Sequence, residues 1–512
     1  MIDPSEAPGG APEDSRRNAA RSTLVGSTLS ILISVAQAFV LIPICLDQVG
    51  SRLYGAWLGS TELLIWVQAL DLGVPNLIMQ RIGAAVGRRD VEEGGRWFVS
   101  GFVILLAHAL VLASLALAAS PYIVQWADVA ADQARLFETC FRFGAVAAAL
   151  TLLNSVFLGL ARGVQRTALV NGTIVGGAVV GFAVSLGLLL KGFGLWALAW
   201  GMLARAVVGL SGGIAFAATL DRRWWRLRHG AFGPTLREMT SLVPSLTAGS
   251  IGYLAVGFSE LALVTTLFGP AAAAVYGLTR RAADAARSIL DAFAAAVYGG
   301  FAHLVGSEAR ERARLVAREI LVARWAGACL AAAVYAALNP SLVVLLFGPE
   351  NWGGPWLTLA FACNLVVSGS TYMVNYLYRA AGAVREGSLV FAAGGVAHVA
   401  ATLAGLSLFG LVGAPVAGTL VAIVVLVVSA RRLDALLPGR RSAPPLADRK
   451  VTWFGAALVA AGALSGTLAG DLSWTGQAAL GAVLLLLGGA TFLWLHPMLR
   501  RTLAGALAGW FR

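Results

Sequence analysis

Apolar stretches long enough to cross a bilayer recur along this chain, and they constrain its fold more than any other feature. The hydrocarbon core of a membrane needs about 20 apolar residues per spanning helix. Fourteen such spans, numbered in chain order, lie at 24–46, 54–74, 98–119, 141–160, 169–190, 195–219, 242–267, 273–303, 320–338, 356–378, 389–408, 411–429, 451–469 and 476–495. The sequence therefore predicts an all-α membrane protein with about 14 transmembrane helices.

The composition supports this fold class and argues against an enzyme. Only 12% of the 512 residues are charged, whereas a soluble domain carries about 25%. Connections between the spans reach only about 20 residues, which leaves no room for a soluble catalytic domain. A membrane-embedded enzyme of glycan assembly is the alternative, but it needs converging acids or a long external loop. The four isolated cysteines have no metal-ligand spacing, so we predict no metal and no cofactor.

The basic residues indicate how the chain is oriented. If the N-terminus lies in the cytoplasm and the spans alternate, 29 of the 38 Lys and Arg residues fall in cytoplasmic segments. Only Arg52, Arg135 and Lys191 fall on the other side, and six lie within spans. This asymmetry follows the positive-inside rule. The net charge of +12 is thus an orientation signal, and we predict no nucleic-acid partner.

The first twelve spans form two parallel repeats. Val86-Gly87 followed by Glu92 recurs 219 residues later as Val305-Gly306 followed by Glu311, and Gly163 with Arg166 recurs at the same offset as Gly382 with Arg385. Phe193-Gly194-Leu195 recurs 216 residues later as Phe409-Gly410-Leu411. We therefore predict two six-helix lobes related by an internal repeat, plus two C-terminal helices, with a substrate site between the lobes.

The repeat and the charge pattern together predict the domain organisation. The segments are a disordered cytoplasmic N-terminus at 1–22, an N-lobe with spans 1 to 6 at 23–220, a cytoplasmic linker at 221–241, a C-lobe with spans 7 to 12 at 242–430, a cytoplasmic loop at 431–450, spans 13 and 14 at 451–495 and a cytoplasmic tail at 496–512.

Local sequence resembles a known transporter family. The segment Gly50-Ser51-Arg52-Leu53-Tyr54-Gly55-Ala56-Trp57, leading to Leu70-Asp71-Leu72-Gly73, is similar to the start of Wzx-type polysaccharide repeat-unit flippases. These belong to the multidrug/oligosaccharidyl-lipid/polysaccharide exporter (MOP) superfamily. Val275-Tyr276-Gly277 and the turn from Phe409 to Ala414 extend the resemblance, which covers about residues 20–430.

The resemblance implies a cargo and a mechanism. It implies that a lipid-linked oligosaccharide on polyprenyl pyrophosphate crosses the bacterial inner (cytoplasmic) membrane by alternating access, for cell-surface polysaccharide synthesis. Lipopolysaccharide or exopolysaccharide export is the process implied, with H⁺ or Na⁺ as coupling ion and membrane lipids, a polymerase or assembly proteins as further partners. Two alternatives remain open, a multidrug or cation antiporter of the same superfamily and a lipid II-type flippase, which also carries extra C-terminal helices.

Charged residues inside span 8 are the main candidates for the cargo site. A charge at the bilayer centre costs about 2.5–3.5 kcal/mol, so the charges of span 8 must face protein or water. At 100° per residue, Arg280, Asp284, Arg287 and Asp291 share a stripe about 60° wide, with Arg281 on its flank. The arginines can bind a pyrophosphate. The alternative is that these charges only satisfy one another along the helix.

Other spans contribute three further candidates, each with its alternatives. Arg205 in span 6 has no acid within its own helix, which favours a role in binding an anionic group. Glu260 in span 7 is either a coupling carboxylate or the partner of a structural salt bridge. Asp71 near the end of span 2 is a candidate for gating, ion coupling or a simple helix-end role. The predicted substrate-binding residues are Arg205, Arg280, Arg281 and Arg287, and the predicted coupling or gating residues are Asp71, Glu260, Asp284 and Asp291.

Overall fold

The computed structural model describes residues 13–69, 72–88, 90–164, 166–221, 224, 232–306, 310–437, 449–468 and 474–495. All regular structure in these ranges is helical. The α-helices are α1 (Glu13–Ala69), α2 (Val74–Gly87), α3 (Val91–Trp126), α4 (Ala134–Gly163), α5 (Thr167–Leu189), α6 (Leu195–Ala218), α7 (Phe232–Gly257), α8 (Glu260–Gly306), α9 (Arg310–Phe347), α10 (Gly354–Ala380), α11 (Val384–Phe409), α12 (Gly413–Leu436), α13 (Arg449–Leu468) and α14 (Trp474–Leu495).

The predicted fold class is confirmed, because the apolar spans coincide with helices. Helix α1 contains the first span and most of the second, and α7 with the start of α8 forms the seventh. By length and hydropathy alone, nine helical segments in the described ranges could cross a membrane, and two of these, Gly249–Ala294 and Val384–Leu436, each contain successive helices. The chain is therefore a multi-pass membrane protein. The helices extend beyond the predicted spans because their charged ends are helical too.

Backbone conformation bears out the internal repeat at positions that the sequence comparison did not use. Gly50 interrupts α1 at φ 77° and ψ 163°, and Gly269 interrupts α8 at φ 80° and ψ 176°. The two glycines are 219 residues apart, the same offset as the repeated sequence words. Only glycine adopts this backbone region without strain. The chain therefore breaks at equivalent points of the two halves.

One compact unit comprises residues 1–273. Its core lies among α2, α3, α4 and α6, where Ile78, Phe98, Leu152 and Phe157 are buried. Asp90 begins α3 by accepting a hydrogen bond from the backbone N–H of Glu93 at 2.8 Å, which satisfies one of the free donors of the first turn.

The second compact unit comprises residues 274–512. Its core joins α8, α9, α10 and α12 through buried side chains that include Phe301, Leu321, Met373 and Leu426. Helices α13 and α14 both pack against α9. The lobe boundaries at 23–220 and 242–430 stay a prediction.

Candidate functional site

Arg280 and Asp284 form an ion pair within α8. Arginine Nε lies 3.0 Å from the aspartate Oδ2, and the two side chains are 14% and 37% exposed. The guanidinium of Arg280 also lies over the ring of Tyr276, 5.8 Å from its centroid, at the distance of a cation–π contact. The spacing of i and i+4 on one helix face predicted this pair. Arg280 and Asp284 therefore neutralise each other along the helix, as the alternative interpretation of the span 8 charges predicts.

Asp291 is paired across helices with an arginine that the sequence interpretation missed. Arg324 of α9 donates from Nη2 to Asp291 Oδ1 at 3.0 Å and from Nε to the carbonyl of Gly369 in α10 at 3.3 Å. Arg324 is 0% exposed, whereas the Asp291 side chain is 25% exposed. A buried arginine needs such a counter-charge, because removing its charge from water is costly.

Arg287 is held by a neutral group. It donates from Nη2 to Asn364 Oδ1 of α10 at 2.9 Å. The amide nitrogen of Asn364 donates to the carbonyl of Pro415 and to Thr419 Oγ1 of α12, each at 3.3 Å. These two bonds orient the amide so that its oxygen faces Arg287. The charge of Arg287 is thus positioned but not neutralised by Asn364.

Arg281 lies beside this set and is partly exposed. Its own flank position on α8 agrees with the predicted helix geometry. We name the residues Arg280, Arg281, Asp284, Arg287 and Asp291 of α8, with Arg324 of α9, the arginine cluster. Four arginines face two aspartates in this cluster, so it carries an excess of two positive charges.

Arg205, in the unit of residues 1–273, is exposed at the middle of α6. Its stem lies against α5, where a Cβ added to Gly181 would approach the Arg205 Cβ to 2.9 Å. The glycine surface of α5 therefore lets α6 approach closely at Arg205.

Glu260 is the first residue of α8 and lies where the seventh predicted span is broken at Phe258 and Ser259. Glu62 of α1 accepts hydrogen bonds from the backbone N–H groups of Leu261 at 2.9 Å and Ala262 at 3.1 Å. Both glutamates are buried, at 3% exposure for Glu62 and 7% for Glu260. Glu62 thus caps the start of α8 from a neighbouring helix.

The site residues predicted from sequence fall in both units. Arg205 and Glu260 lie in residues 1–273, and the α8 residues from Arg280 to Asp291 lie in residues 274–512. Asp71 lies outside the described residues. Arg324 was missed because its partner is on another helix. The signal that could have found it is the position of Arg324 inside the apolar ninth span, where a charged side chain needs a partner from a neighbouring helix.

Comparisons with known proteins identify the family and the fold of the chain. A family model described as "Polysaccharide biosynthesis protein" matches residues 88–353. No curated protein sequence matches the chain.

Solved structures with the same fold are transporters at low sequence identity. An inward-facing multidrug resistance MATE family transporter of the MOP superfamily has a TM-score of 0.66 and 16% identity, over 81% of this chain and 98% of that chain. A MATE protein in complex with MaD3S has a TM-score of 0.60 and 17% identity, over 83% and 97%.

A third structure, a MOP superfamily transporter from Pyrococcus furiosus Vc1, has a TM-score of 0.61 and 16% identity, over 84% of this chain and 98% of that chain. It is described as having a binding pocket of reverse polarity that suggests a different function. The exporter-superfamily fold that the sequence resemblance implied is therefore confirmed.

Proposed function

This chain belongs to the polysaccharide biosynthesis protein family, and we propose that it translocates a lipid-linked oligosaccharide across the cytoplasmic membrane by alternating access. The cargo is a glycan on polyprenyl pyrophosphate, destined for cell-surface polysaccharide. A MOP-type fold with duplicated halves supports this mechanism, because parallel repeats in such transporters place the substrate site at their interface.

The excess of arginine in the arginine cluster is the observation that carries the proposal. Charges inside a membrane span are costly and are retained where they serve a pathway or a ligand. Arg280 and Arg324 each have an aspartate partner, whereas Arg287 is held by a neutral amide. The cluster therefore has positive charge to offer a pyrophosphate, through charge-assisted hydrogen bonds that a planar guanidinium can make in pairs.

The carboxylates differ in their suitability for ion coupling. Asp284 and Asp291 are both engaged by arginine, so binding H⁺ or Na⁺ there competes with an ion pair. We propose Glu260 as the coupling carboxylate because it is buried, at 7% exposure, at the break before α8, with Asp71 as a gate.

A multidrug or cation antiporter is the competing function, since structures of multidrug transporters share the fold. A cavity for organic cations favours acids and aromatic rings. The surplus of arginine in the arginine cluster favours an anionic cargo instead. A lipid II-type flippase would move cargo of the same pyrophosphate chemistry, so it differs in the glycan rather than in the mechanism.

Depletion of the protein in its own cells tests this proposal. We expect a lipid-linked oligosaccharide to accumulate on the cytoplasmic side, where it is protected from enzymes added outside the cell. An Arg287→Ala copy should fail to relieve the accumulation at normal protein levels. An Arg52→Ala copy should relieve it, because Arg52 pairs with Asp128 in an exposed position. Unchanged glycan export together with raised drug sensitivity would instead support the antiporter.

A further inference from the structure

Helix α8 contains two arginine–aspartate pairs of the same spacing and order, Arg280 with Asp284 and Arg287 with Asp291. Residues four apart on a helix are neighbours, so both pairs have the geometry for an ion pair. The first pair forms, at 3.0 Å. In the second, Arg287 turns to Asn364 and Asp291 turns to Arg324. The first pair thus shows how the second would pair if Arg287 and Asp291 had no partners on other helices.

The two pairs differ because Arg324 of α9 binds the aspartate of the second pair. Its guanidinium holds Asp291 Oδ1 at 3.0 Å and is fully buried. Its Nη1 has no hydrogen-bond partner among the described atoms, so Asp291 and the Gly369 carbonyl fix its position. A Cβ at residue 369 would overlap Nη2. Gly369 therefore makes the room that Arg324 needs to reach Asp291.

We propose that Arg324 is a positioning residue for cargo binding, an inference that rests on the proposed function. By holding Asp291, Arg324 keeps that carboxylate from pairing with Arg287, four residues earlier on the same face. Arg287 stays oriented by a neutral amide and available to the anionic group of the cargo. Arg324 acts through Asp291 and does not itself touch the cargo, because its side chain is fully buried.

Chemical labelling of Arg287 tests the inference without any cargo. The full chain in detergent is treated with p-hydroxyphenylglyoxal, and labelling of Arg287 is measured by mass spectrometry. In Arg324→Met, freed Asp291 should pair with Arg287 and lower its labelling by about twofold or more. The double variant Arg324→Met with Asp291→Asn should restore the labelling, since the competing carboxylate is gone.

A matched control comes from the same helix. Arg314 of α9 pairs with Asp434 of α12 at 2.9 Å, so Arg314→Met also removes an inter-helix partner of an aspartate. It should leave Arg287 labelling unchanged. If Arg324→Met does not lower the labelling, or if the double variant stays as low as the single one, the inference is overturned.

Binding of farnesyl pyrophosphate provides the second readout. Arg324→Met should weaken binding by about tenfold, the effect of losing a charge-assisted contact, and Asp291→Asn should rescue it in the double variant. A double variant that binds as weakly as Arg324→Met would overturn the inference. If the unaltered protein binds no farnesyl pyrophosphate, the proposed function fails, while the labelling result still decides the role of Arg324.

If Arg324→Met fails to fold, Gly369→Ala is a second variant that tests the same inference. The added methyl group displaces the guanidinium of Arg324 but leaves its charge in the protein. Labelling of Arg287 should fall in Gly369→Ala as well and recover when Asp291→Asn is added. Unchanged labelling in a folded Gly369→Ala protein would contradict the inference.

Discussion

At the scale of single residues, the arginines of α8 and α9 differ in the partner that each guanidinium contacts. The partner determines whether the positive charge is neutralised or remains available. Arg280 is neutralised within its helix, Arg324 is neutralised across helices, and Arg287 is oriented by an amide. Helical spacing alone predicted the first of these contacts, because the partners lie on one helix. It could not predict the other two, since partners on α9 and α10 are brought near only by packing.

Glu62 carries a prediction about stability. Its buried carboxylate accepts two backbone N–H groups at the start of α8, and a negative charge there is stabilised by the helix dipole. Glu62→Gln should lower the free energy of unfolding by about 1–2 kcal/mol, because the amide oxygen of glutamine still accepts hydrogen bonds but lacks the charge that strengthens them. The measurement is the thermal unfolding midpoint of the protein in detergent.

Glu238 provides the control for Glu62. It pairs with Arg81 at 2.7 Å, but its side chain is 49% exposed, and exposed ion pairs contribute about 0–1 kcal/mol. Glu238→Gln should therefore have a smaller effect than Glu62→Gln. Equal shifts of the unfolding midpoint for the two variants would contradict the capping role of Glu62.

At the scale of elements, the apolar spans could be predicted but the helix breaks could not. Length and hydropathy are local properties, and they placed the predicted spans largely on helices of the described residues. The break at Phe258 and Ser259 depends on side chains from α1, because Trp66 donates to the Phe258 carbonyl at 2.7 Å and Glu62 caps the helix that follows. The sequence of the seventh span contains no signal for these partners.

The glycine breaks carry a second prediction. Gly50 and Gly269 have positive φ with extended ψ, and no atom lies within 4 Å of a Cβ added at either position. Alanine there is free of clashes but strained, so each substitution should destabilise the protein by about 1–3 kcal/mol. Unfolding midpoints of the two variants measure this.

Gly176, inside α5, is the matched glycine with the same open surroundings but helical backbone. Gly176→Ala should be neutral or stabilising by up to about 1 kcal/mol, because alanine is the better helix former. If Gly50→Ala is as well tolerated as Gly176→Ala, backbone strain does not explain the glycine at the break.

The contact of α13 with α9 carries a third prediction. A Cβ at Gly462 would overlap the carbonyl oxygen of Ala333 in α9, whereas no atom lies within 4 Å of one at Gly489 in α14. Gly462→Leu should force α13 away from α9 and cost about 1–3 kcal/mol, as overpacking does. Gly489→Leu should be nearly neutral, and unfolding midpoints in detergent compare them.

A Gly462→Leu protein that unfolds at the same temperature as Gly489→Leu would show that α13 does not pack through this glycine.

At the scale of the whole molecule, charge asymmetry predicts the orientation, the repeat predicts two equivalent halves, and the family resemblance implies alternating access. These are properties of the entire chain, so the sequence alone supports such predictions, whereas the inter-helix contacts depend on packing. The cargo depends on few side chains whose partners are set by packing, and this is why the sequence left an anionic and a cationic cargo open.

The predicted orientation is testable with cysteines placed on either side. In a background with Cys45, Cys140, Cys329 and Cys363 replaced by serine, Asp132→Cys in the loop before α4 should react with a membrane-impermeant maleimide added to intact cells. Ser15→Cys should react only after the cells are opened. Reaction of Ser15→Cys in intact cells would contradict a cytoplasmic N-terminus.

Flipping in proteoliposomes most directly tests whether an arginine surplus selects a pyrophosphate-linked cargo. The measurement is the initial rate at which a fluorescent polyprenyl-pyrophosphate-linked oligosaccharide crosses the bilayer, in vesicles with equal amounts of unaltered protein, Arg287→Ala or Arg52→Ala. We predict that the unaltered protein and Arg52→Ala flip the lipid and that Arg287→Ala is slower by about tenfold. Equal rates for Arg287→Ala and the unaltered protein would contradict this role of the arginine cluster.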